Sequence, residues 1–425
     1  MKERESRAWN PKVYPGDKDK HPRDQRWRVQ YEDPNQNFKR RTKGGFRTKA
    51  AAQAWRAEFL RGASEGGWID PAEGRVTFHA VATDWLATHK TTKAKTRAGY
   101  QGIIEACPFR DTQLSNITYE AIRRWVAKQA ATKKPTTVRN SFYVLSAVLD
   151  YAVDIGRINT NPATKVRRHL PTPIPLHRLE QARYPLTTAE AQNVCNALPE
   201  PWSVYARLVA ATGMRPEEAS ALRLCDVDAE AGTVNINSVL VDVNGHLIRE
   251  ANAKTSHSIR RIELDRATTA VLANYIREHR ARAARWFSDH TDHAHPGEQL
   301  PLFVGTKTGR ADGKPDIDRL DFSKPMRHGN FYAKHWKAAL KAAGLPSAIR
   351  FYDLRHAHIS WLVAMHGQPG ALSLKEIQDR AGHSSAVMTL DRYAHAPADD
   401  IERKRDAVDG LFSTTTPDNV TRLHA

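Results

Sequence analysis

Cysteine is scarce in this chain of 425 residues, which contains three, at Cys107, Cys195 and Cys225. Their spacing fits neither a disulfide framework nor a metal site. The sequence also lacks any run of about 18 consecutive apolar residues, so it predicts no membrane-spanning helix. Its first residues are charged and do not form the apolar core of a signal peptide. These absences predict a protein of the reducing cytoplasm.

Acidic residues are also in short supply. The chain has 47 Asp and Glu against 65 Lys and Arg, which leaves a net charge of +18. Such an excess predicts a polyanionic partner, and nucleic acid is favoured over a membrane surface because no segment enters a bilayer. The length allows two or three domains, each able to bury its own core.

The N-terminal part predicts a small basic unit. Residues 1–25 are polar and charged and predict a flexible lead-in. Residues 26–31 alternate as a half-buried strand, residues 38–49 continue as a second strand with six Lys or Arg and no acid, and a helix is expected over 49–61. The basic side chains predicted to contact DNA here are Arg28, Lys39, Arg40, Arg41 and Lys43. A merely solvated basic face is the alternative, since charge alone gives only non-specific phosphate affinity.

Residues 76–168 predict four or five helices with apolar faces and basic polar faces. The candidate DNA contacts on these helices are Lys93, Lys95, Arg97 and Arg139. A plain helical bundle with a solvated face would show the same periodicity. The proline-rich residues 170–175 predict a stiff connector to the remainder of the chain.

The region 184–412 predicts a mixed α+β domain, followed by a tail over residues 413–425. Strands are expected at 233–241 and 247–250, joined by the hairpin signal Asn244-Gly245, and at 259–264. Capping boxes beginning at Thr187 and Ser373 predict the starts of two helices. The other helices are expected at 267–280, 331–343, 352–365 and 374–380.

Within this domain several polar motifs follow one another in order. Gly213 and Pro216 predict a break between two helices, which places Arg215 beside a helix N-terminus that also favours anions. Lys254 lies in a polar turn between strand-like runs, and Arg355 lies near the start of an apolar helix. Residues 381–395 then bring His383 and Tyr393 into one short segment. The two arginines suit phosphate, because a planar guanidinium can hold two of its oxygens.

Taken together, these ordered motifs resemble a tyrosine recombinase of the phage integrase family over about the last 230 residues. The resemblance implies an arm-binding domain over 26–64, a helical, SAM-like core-binding domain over 76–168 and the catalytic domain over 184–412. It implies that Arg215, Lys254, Arg355, His383 and Tyr393 are catalytic, with Glu218 as the acidic residue after the first arginine. Tyr352 departs from the pattern, since the family most often has histidine there.

The resemblance also implies the chemistry. Tyr393 would attack a phosphodiester to form a 3′-phosphotyrosyl link, without a metal or a nucleotide cofactor. Lys254 would protonate the leaving 5′-hydroxyl, with Lys307 as the alternative in another loop. Tyr352 could donate a hydrogen bond to the phosphate but cannot carry positive charge; alternatively, it packs with Phe351 in the core.

The expected activity is therefore DNA integration or excision by four protomers on double-stranded attachment sites, with accessory DNA-bending or directionality proteins as further partners. Two enzymes with the same chemistry, a Xer-like recombinase and a type IB topoisomerase, remain alternatives. A DNA-binding protein that has lost catalysis is the alternative outside the enzymes.

Overall fold

The computed structural model describes residues 12–15, 27–33, 39–64, 73–174, 184–251, 259–307, 316–366, 368–383 and 385. The chain divides into two compact units, Met1–Ile174 and Pro175–Ala425, and the division falls inside the predicted connector. Helices dominate and the sheets are small and antiparallel, which confirms the predicted fold class.

The N-terminal sheet has the strand order β1-β2-β3. Val29 and Tyr31 on β2 are buried, and the Tyr31 ring lies 5.0 Å from that of Phe59 on the following helix. The alternation predicted for this strand is confirmed because the helix covers one face of the sheet. The elements are β1 (Lys12–Pro15), β2 (Trp27–Asp33), β3 (Lys39–Phe46) and α1 (Lys49–Ser64).

Two predictions for this region need correction. The flexible lead-in is wrong for Lys12–Pro15, which forms an edge strand whose Val13 pairs with Val29. This short segment can add to the sheet because the edge of β2 offers unpaired backbone groups. Helix α1 is also longer than predicted and continues to Ser64.

The helices of the next region surround one apolar core. Thr77 and Thr118 cap two of them, each accepting a hydrogen bond from a backbone N–H three residues later, and Pro135 occupies the first turn of another. Phe78 and Phe142 are among the buried side chains. The helices are α2 (Phe78–Thr88), α3 (Ala94–Glu105), α4 (Tyr119–Ala130) and α5 (Pro135–Asp154).

The second unit packs helices and short sheets around a larger core. Both predicted capping boxes are present, at Thr187 and Ser373. The helices are α6 (Thr188–Asn196), α7 (Trp202–Thr212), α8 (Pro216–Ala219), α9 (Arg266–Asp289), α10 (His328–Phe331), α11 (Lys337–Ala342), α12 (Asp353–Met365) and α13 (Leu374–Ala381). The strands are β4 (Val227–Asp228), β5 (Thr233–Ile236), β6 (Ser238–Val243), β7 (His246–Ala251), β8 (Arg260–Glu263), β9 (Val304–Thr306) and β10 (Leu320–Pro325).

The hairpin at Asn244-Gly245 is confirmed, because β6 and β7 pair and both turn residues have positive φ. The single strand predicted over 233–241 is wrong. It breaks at Asn237, whose side chain donates a 2.7 Å hydrogen bond to Asp226, so that β5 and β6 join different sheets.

Two helices also differ from prediction. Helix α9 continues nine residues beyond 280, since Ala283 and Phe287 extend its buried stripe. The helix predicted over 331–343 is divided by a π-helical turn, Tyr332–Trp336. In the parts of the chain that the structure describes, every helix is too short or too polar to cross a lipid bilayer.

Candidate active site

A sharp turn between α7 and α8 presents Arg215. Gly213 ends α7 with φ +65°, and a Cβ at this position would lie 2.5 Å from the ring of His358. Pro216 starts α8, so Arg215 takes the N-cap position with extended backbone. Its side chain is 33% exposed. The turn therefore holds the backbone firmly and leaves part of the guanidinium accessible.

The carboxylate of Glu218 is fully buried between two arginines. It accepts hydrogen bonds from Nη1 of Arg215 at 2.9 Å and from Nη2 of Arg260 at 2.8 Å. Burial alone would raise its pKa, but the hydrogen bond and charge of Arg260, together with Arg215, lower that pKa to about 2. We call Arg215, Glu218 and Arg260 the Glu218 cluster. Because it contains two guanidiniums and one carboxylate, the Glu218 cluster has a net charge of +1.

Arg355, near the start of α12, is 1% exposed. Its guanidinium donates to the backbone carbonyls of Gly213 at 2.5 Å and Ala381 at 2.6 Å. Burial lowers the pKa of Arg355 to about 10, so it remains charged at neutral pH. Both hydrogen bonds go to neutral acceptors, and an anion beside this buried cation would stabilise it further.

The two predicted arginines meet at one short segment. Arg355 donates to the carbonyl of Ala381, and Nη2 of Arg215 donates to the next carbonyl, that of Gly382, at 3.2 Å. Consecutive Cα atoms are about 3.8 Å apart, so the guanidiniums are close neighbours. Like charges this close repel, and an anion between them would remove that cost. The arrangement suits a phosphate group.

His383 follows directly from this segment. Gly382 ends α13 in the left-handed region with φ +64°, and His383 is 2% exposed. The backbone N–H of His383 donates to the carbonyl of Gln378, and its own carbonyl accepts from the Gln378 side chain, both at 3.1 Å. The turn therefore fixes His383 beside the carbonyls that hold the two arginines.

Tyr352 occupies the N-cap position of α12 and is half-buried. Its neighbour Phe351 is the residue that enters the core, where it stacks on Tyr205 with ring centroids 5.0 Å apart. At both arginines burial is the largest single effect and lowers the pKa, while Tyr352 acts to raise it; at Arg215 the stronger raising effect of Glu218 leaves the pKa above its usual value. Tyr352 therefore interacts electrostatically with both arginines, and its role in the site stays a prediction.

Arg380, which sequence reasoning missed, connects several of these elements. Nη2 of Arg380 donates to the carbonyls of Ala211 at 3.1 Å and Glu263 at 3.0 Å, and its Nε donates to Nε2 of His358 at 3.2 Å. Burial, helped by the charge of Arg380, lowers the pKa of His358 to about 3. The neutral ring then donates through Nδ1 to the carbonyl of Ala210. These bonds tie α7, β8, α12 and α13 together.

Arg260 was also missed, although a signal was present. Strand alternation places it on the same face as Ile262, which is fully buried, while Arg261 is exposed. An arginine on the buried face of a strand requires a carboxylate or carbonyl partner. Glu218 supplies the carboxylate.

The predicted nucleophile Tyr393 and the predicted acid Lys254 both lie outside the described residues. The strand expected after Lys254 is present as β8. The alternative, Lys307, is exposed at the end of β9, and its backbone N–H donates to the carbonyl of Arg319. The preference for Lys254 therefore stays a prediction.

The basic residues of the N-terminal sheet fall on two faces. Arg40 pairs with Glu32, and Arg28 lies on that same face, opposite to the buried Val29. Arg41 lies across from Tyr31, on the face that the helix covers, and so does Lys43, across from Val29. Lys39 begins the strand. Arg28 and Arg40 are therefore exposed on the open face, and the predicted DNA contacts of all five residues stay predictions.

On the helical domain, three of the predicted basic residues gather at one helix end. Lys93 is the N-cap of α3, Lys95 and Arg97 lie in its first turn or next to it, and that turn contains no acid. Cations at the positive end of the helix dipole destabilise a helix, but they add to the attraction of this end for anions. Arg139, on α5, donates to the hydroxyl of Tyr143 at 2.7 Å.

Comparison with known protein families gives two matches. The sequence model described as the Phage integrase family matches residues 178–399, which is more than half of the chain. The model described as the Phage integrase central domain matches residues 78–169.

Individual relatives agree with these matches. A putative prophage phiRv2 integrase of Mycobacterium tuberculosis is 27% identical over 384 residues, which is 87% of this chain and 89% of the relative. The integrase of Mycobacterium phage D29 is 24% identical over 375 residues, covering 85% of this chain and 88% of the relative. Among solved structures, the Tn1549 transposon integrase in complex with a circular intermediate DNA is similar with a TM-score of 0.56 at 16% identity. That similarity covers 79% of this chain and 99% of the solved one, and it bears on the fold alone.

Proposed function

This chain belongs to the phage integrase family and is a site-specific tyrosine recombinase, and from that premise we propose how its residues divide the reaction. The observation that carries the proposal is the convergence of Arg215 and Arg355 on the consecutive carbonyls of Ala381 and Gly382. The scissile phosphate binds between these guanidiniums, with His383 beside it.

Cleavage begins when the phenol of Tyr393 gives up its proton to solvent water and its oxygen attacks the phosphorus. A bond forms between that oxygen and phosphorus, the bond from phosphorus to the 5′-oxygen breaks, and the 5′-oxygen leaves as a hydroxyl after taking a proton from Lys254. The product is a 3′-phosphotyrosyl link. A 5′-hydroxyl from the partner duplex reverses the step, so the energy of the phosphodiester is conserved without a nucleotide.

The surrounding groups stabilise charge as it develops. The pentacoordinate phosphorus spreads negative charge over its oxygens, and preorganised cations and hydrogen-bond donors lower the barrier most effectively in a site shielded from water. Arg215 and Arg355 supply the cations, His383 donates a hydrogen bond, and the neutral hydroxyl of Tyr352 donates another. Glu218 holds Arg215 in place.

The rest of the chain binds the DNA around this site. We propose an arm-binding domain over 26–64, to whose sheet the strand Lys12–Pro15 adds, a core-binding domain over 76–168 and a catalytic domain over 184–412, with 413–425 as a tail. Four protomers exchange strands between two attachment sites in the cytoplasm, aided by accessory DNA-bending or directionality proteins. Integrase relatives align with most of this chain and over most of their own length. This supports integration and excision of phage or other mobile-element DNA over a Xer-like role.

The nucleophile is tested by trapping the covalent complex. Labelled duplexes selected from a random pool for binding are nicked near the cleavage point and incubated with the protein, and adducts are resolved in SDS gels. The parent and Tyr184→Phe, a control at an exposed tyrosine, form the adduct, whereas Tyr393→Phe binds DNA but forms none. An adduct with Tyr393→Phe would exclude this residue as nucleophile.

The duplexes selected from the random pool also distinguish a recombinase from the alternative functions. A recombinase selects inverted half-sites and exchanges strands between two such duplexes. A topoisomerase-like enzyme relaxes supercoiled plasmid that lacks any selected site, and an inactive DNA-binding protein forms no adduct with any duplex.

The acid is tested by changing the leaving group. A 5′-bridging sulfur leaves as a thiolate and needs no proton, so it restores cleavage by Lys254→Ala. Lys307→Ala is the matched control and cleaves the ordinary substrate at the parent rate. The reverse pattern would assign the role to Lys307.

A further inference from the structure

Arg260 donates hydrogen bonds to two of the active-site segments. Its Nη1 and Nη2 donate to the two oxygens of Glu218 at 3.1 and 2.8 Å, and its Nε donates to the carbonyl of Arg380 at 2.8 Å. The side chain is 6% exposed. This planar, two-pronged contact is one that lysine cannot reproduce.

The guanidinium of Arg260 also supports the turn before His383. A Cβ at Gly382 would lie 2.9 Å from Nη1 of Arg260 and 3.0 Å from its Cζ, so the glycine backbone packs directly on the guanidinium. The carbonyl of Gly382 is the one that receives Arg215. Arg260 therefore contacts the cluster that holds Arg215 and the turn that holds His383.

A third connection runs through the backbone. Arg260 begins β8, where it pairs with Ile236 of β5, and it follows Lys254 by six positions in the chain. The residue that begins the strand after Lys254 is thus the residue that holds Glu218 and supports Gly382.

The charges give Arg260 a specific task. If Arg260 were neutral, Arg215 and Glu218 would form a pair with no net charge, and the carboxylate would compete with phosphate for Arg215. With Arg260 present, two guanidiniums share the single negative charge of Glu218. The positive charge of Arg215 therefore stays available to the phosphate. Such competition matters because electrostatic interactions strengthen in a site shielded from water.

We infer that Arg260 is a positioning residue of the recombination reaction, which keeps the charge of Arg215 free for the scissile phosphate and holds the Gly382-His383 turn in register. This inference rests on the proposed roles of Arg215 and His383. Arg260 acts through these residues and does not touch the DNA.

The test uses the full-length protein and single-turnover adduct formation on the nicked duplex. Arg260→Gln lowers the adduct rate about 100-fold, comparable to the loss of one preorganised donor, and leaves DNA affinity within about threefold because phosphate contacts elsewhere dominate binding. Arg260→Lys, which keeps the charge but not the fork, retains more activity than Arg260→Gln. Arg261→Gln, at the exposed neighbour on the same strand, keeps the parent rate.

Two further measurements distinguish a positioning role of Arg260 from a general loss of structural order in the active site. The first replaces the scissile phosphate by an uncharged methylphosphonate, for which the charge of Arg215 matters less, so the defect of Arg260→Gln shrinks at least tenfold. The second adds Glu218→Gln to Arg260→Gln, which removes the competing carboxylate and raises the adduct rate above that of Arg260→Gln alone.

Equal defects on both substrates, together with no gain from Glu218→Gln, would overturn the inference. A parent rate for Arg260→Gln would also overturn it, provided that the parent forms an adduct and Tyr393→Phe does not. An adduct with Tyr393→Phe would refute the proposed function instead. If Arg260→Gln does not fold, as judged by thermal unfolding, the same two comparisons are made with Arg260→Met, which also removes the charge.

Discussion

Replacing Glu218 by glutamine should destabilise the second unit in a pH-dependent way. The carboxylate is fully buried and its pKa falls from 4.5 to about 2, despite the opposing effect of burial, because Arg260 and Arg215 bind its charged form. A shift of this size corresponds to about 3 kcal/mol at neutral pH, since each pKa unit is worth about 1.4 kcal/mol. Removal of one partner from a buried ion pair typically costs a similar 3 to 5 kcal/mol.

The sign of the pH dependence follows from the lowered pKa. The stabilisation is complete well above 4.5, the ordinary pKa of the carboxyl group in the unfolded chain, and it disappears as pH falls through the folded value of about 2. The difference in stability between parent and Glu218→Gln should therefore shrink by about 1 kcal/mol between pH 7 and pH 3.5.

Urea unfolding at 25 °C, followed by tryptophan fluorescence across this pH range, measures the difference. Glu376→Gln is the matched control, because Glu376 is an exposed capping-box residue whose pKa is lowered by hydrogen bonds from Ser373 alone. If Glu218→Gln is as stable as the parent at pH 7, or if its deficit is the same at pH 3.5, the electrostatic account of the Glu218 cluster is wrong.

Three further outcomes are expected. Tyr352→Phe should slow adduct formation about 100-fold with unchanged DNA affinity, whereas Tyr352→His should stay active with a pH dependence near 6.5; a Phe variant as fast as the parent would remove Tyr352 from the site. Gly213→Ala should cost about 2 kcal/mol more in urea unfolding than Gly344→Ala, because both positions have positive φ but only the first would clash, against His358. Deletion of residues 1–70 should spare cleavage of a short core site and abolish integration on substrates with distant arm sites, since linked contacts raise effective concentration, and equal loss on both substrates would contradict the modular layout.

Local features of the structure were predictable from the sequence because they depend on few residues. The hairpin at Asn244-Gly245 requires only two residues that tolerate positive φ, and the capping boxes at Thr187 and Ser373 require only a hydroxyl and a carboxylate three positions apart. The alternation of Val29 and Tyr31 likewise predicted their burial. The ordered arginine, histidine and tyrosine motifs predicted the family, and the comparisons confirm it.

Only the tertiary structure decided how the predicted residues are held. The break at Asn237 depends on Asp226, and the strand at Lys12–Pro15 depends on the free edge of β2; neither partner is visible in the local pattern. Arg260 lies 42 positions from Glu218, and Arg215 lies 167 positions from Gly382. Periodicity reports which face of an element is buried, but the choice of carboxylate or carbonyl for a buried arginine is made by packing between distant elements.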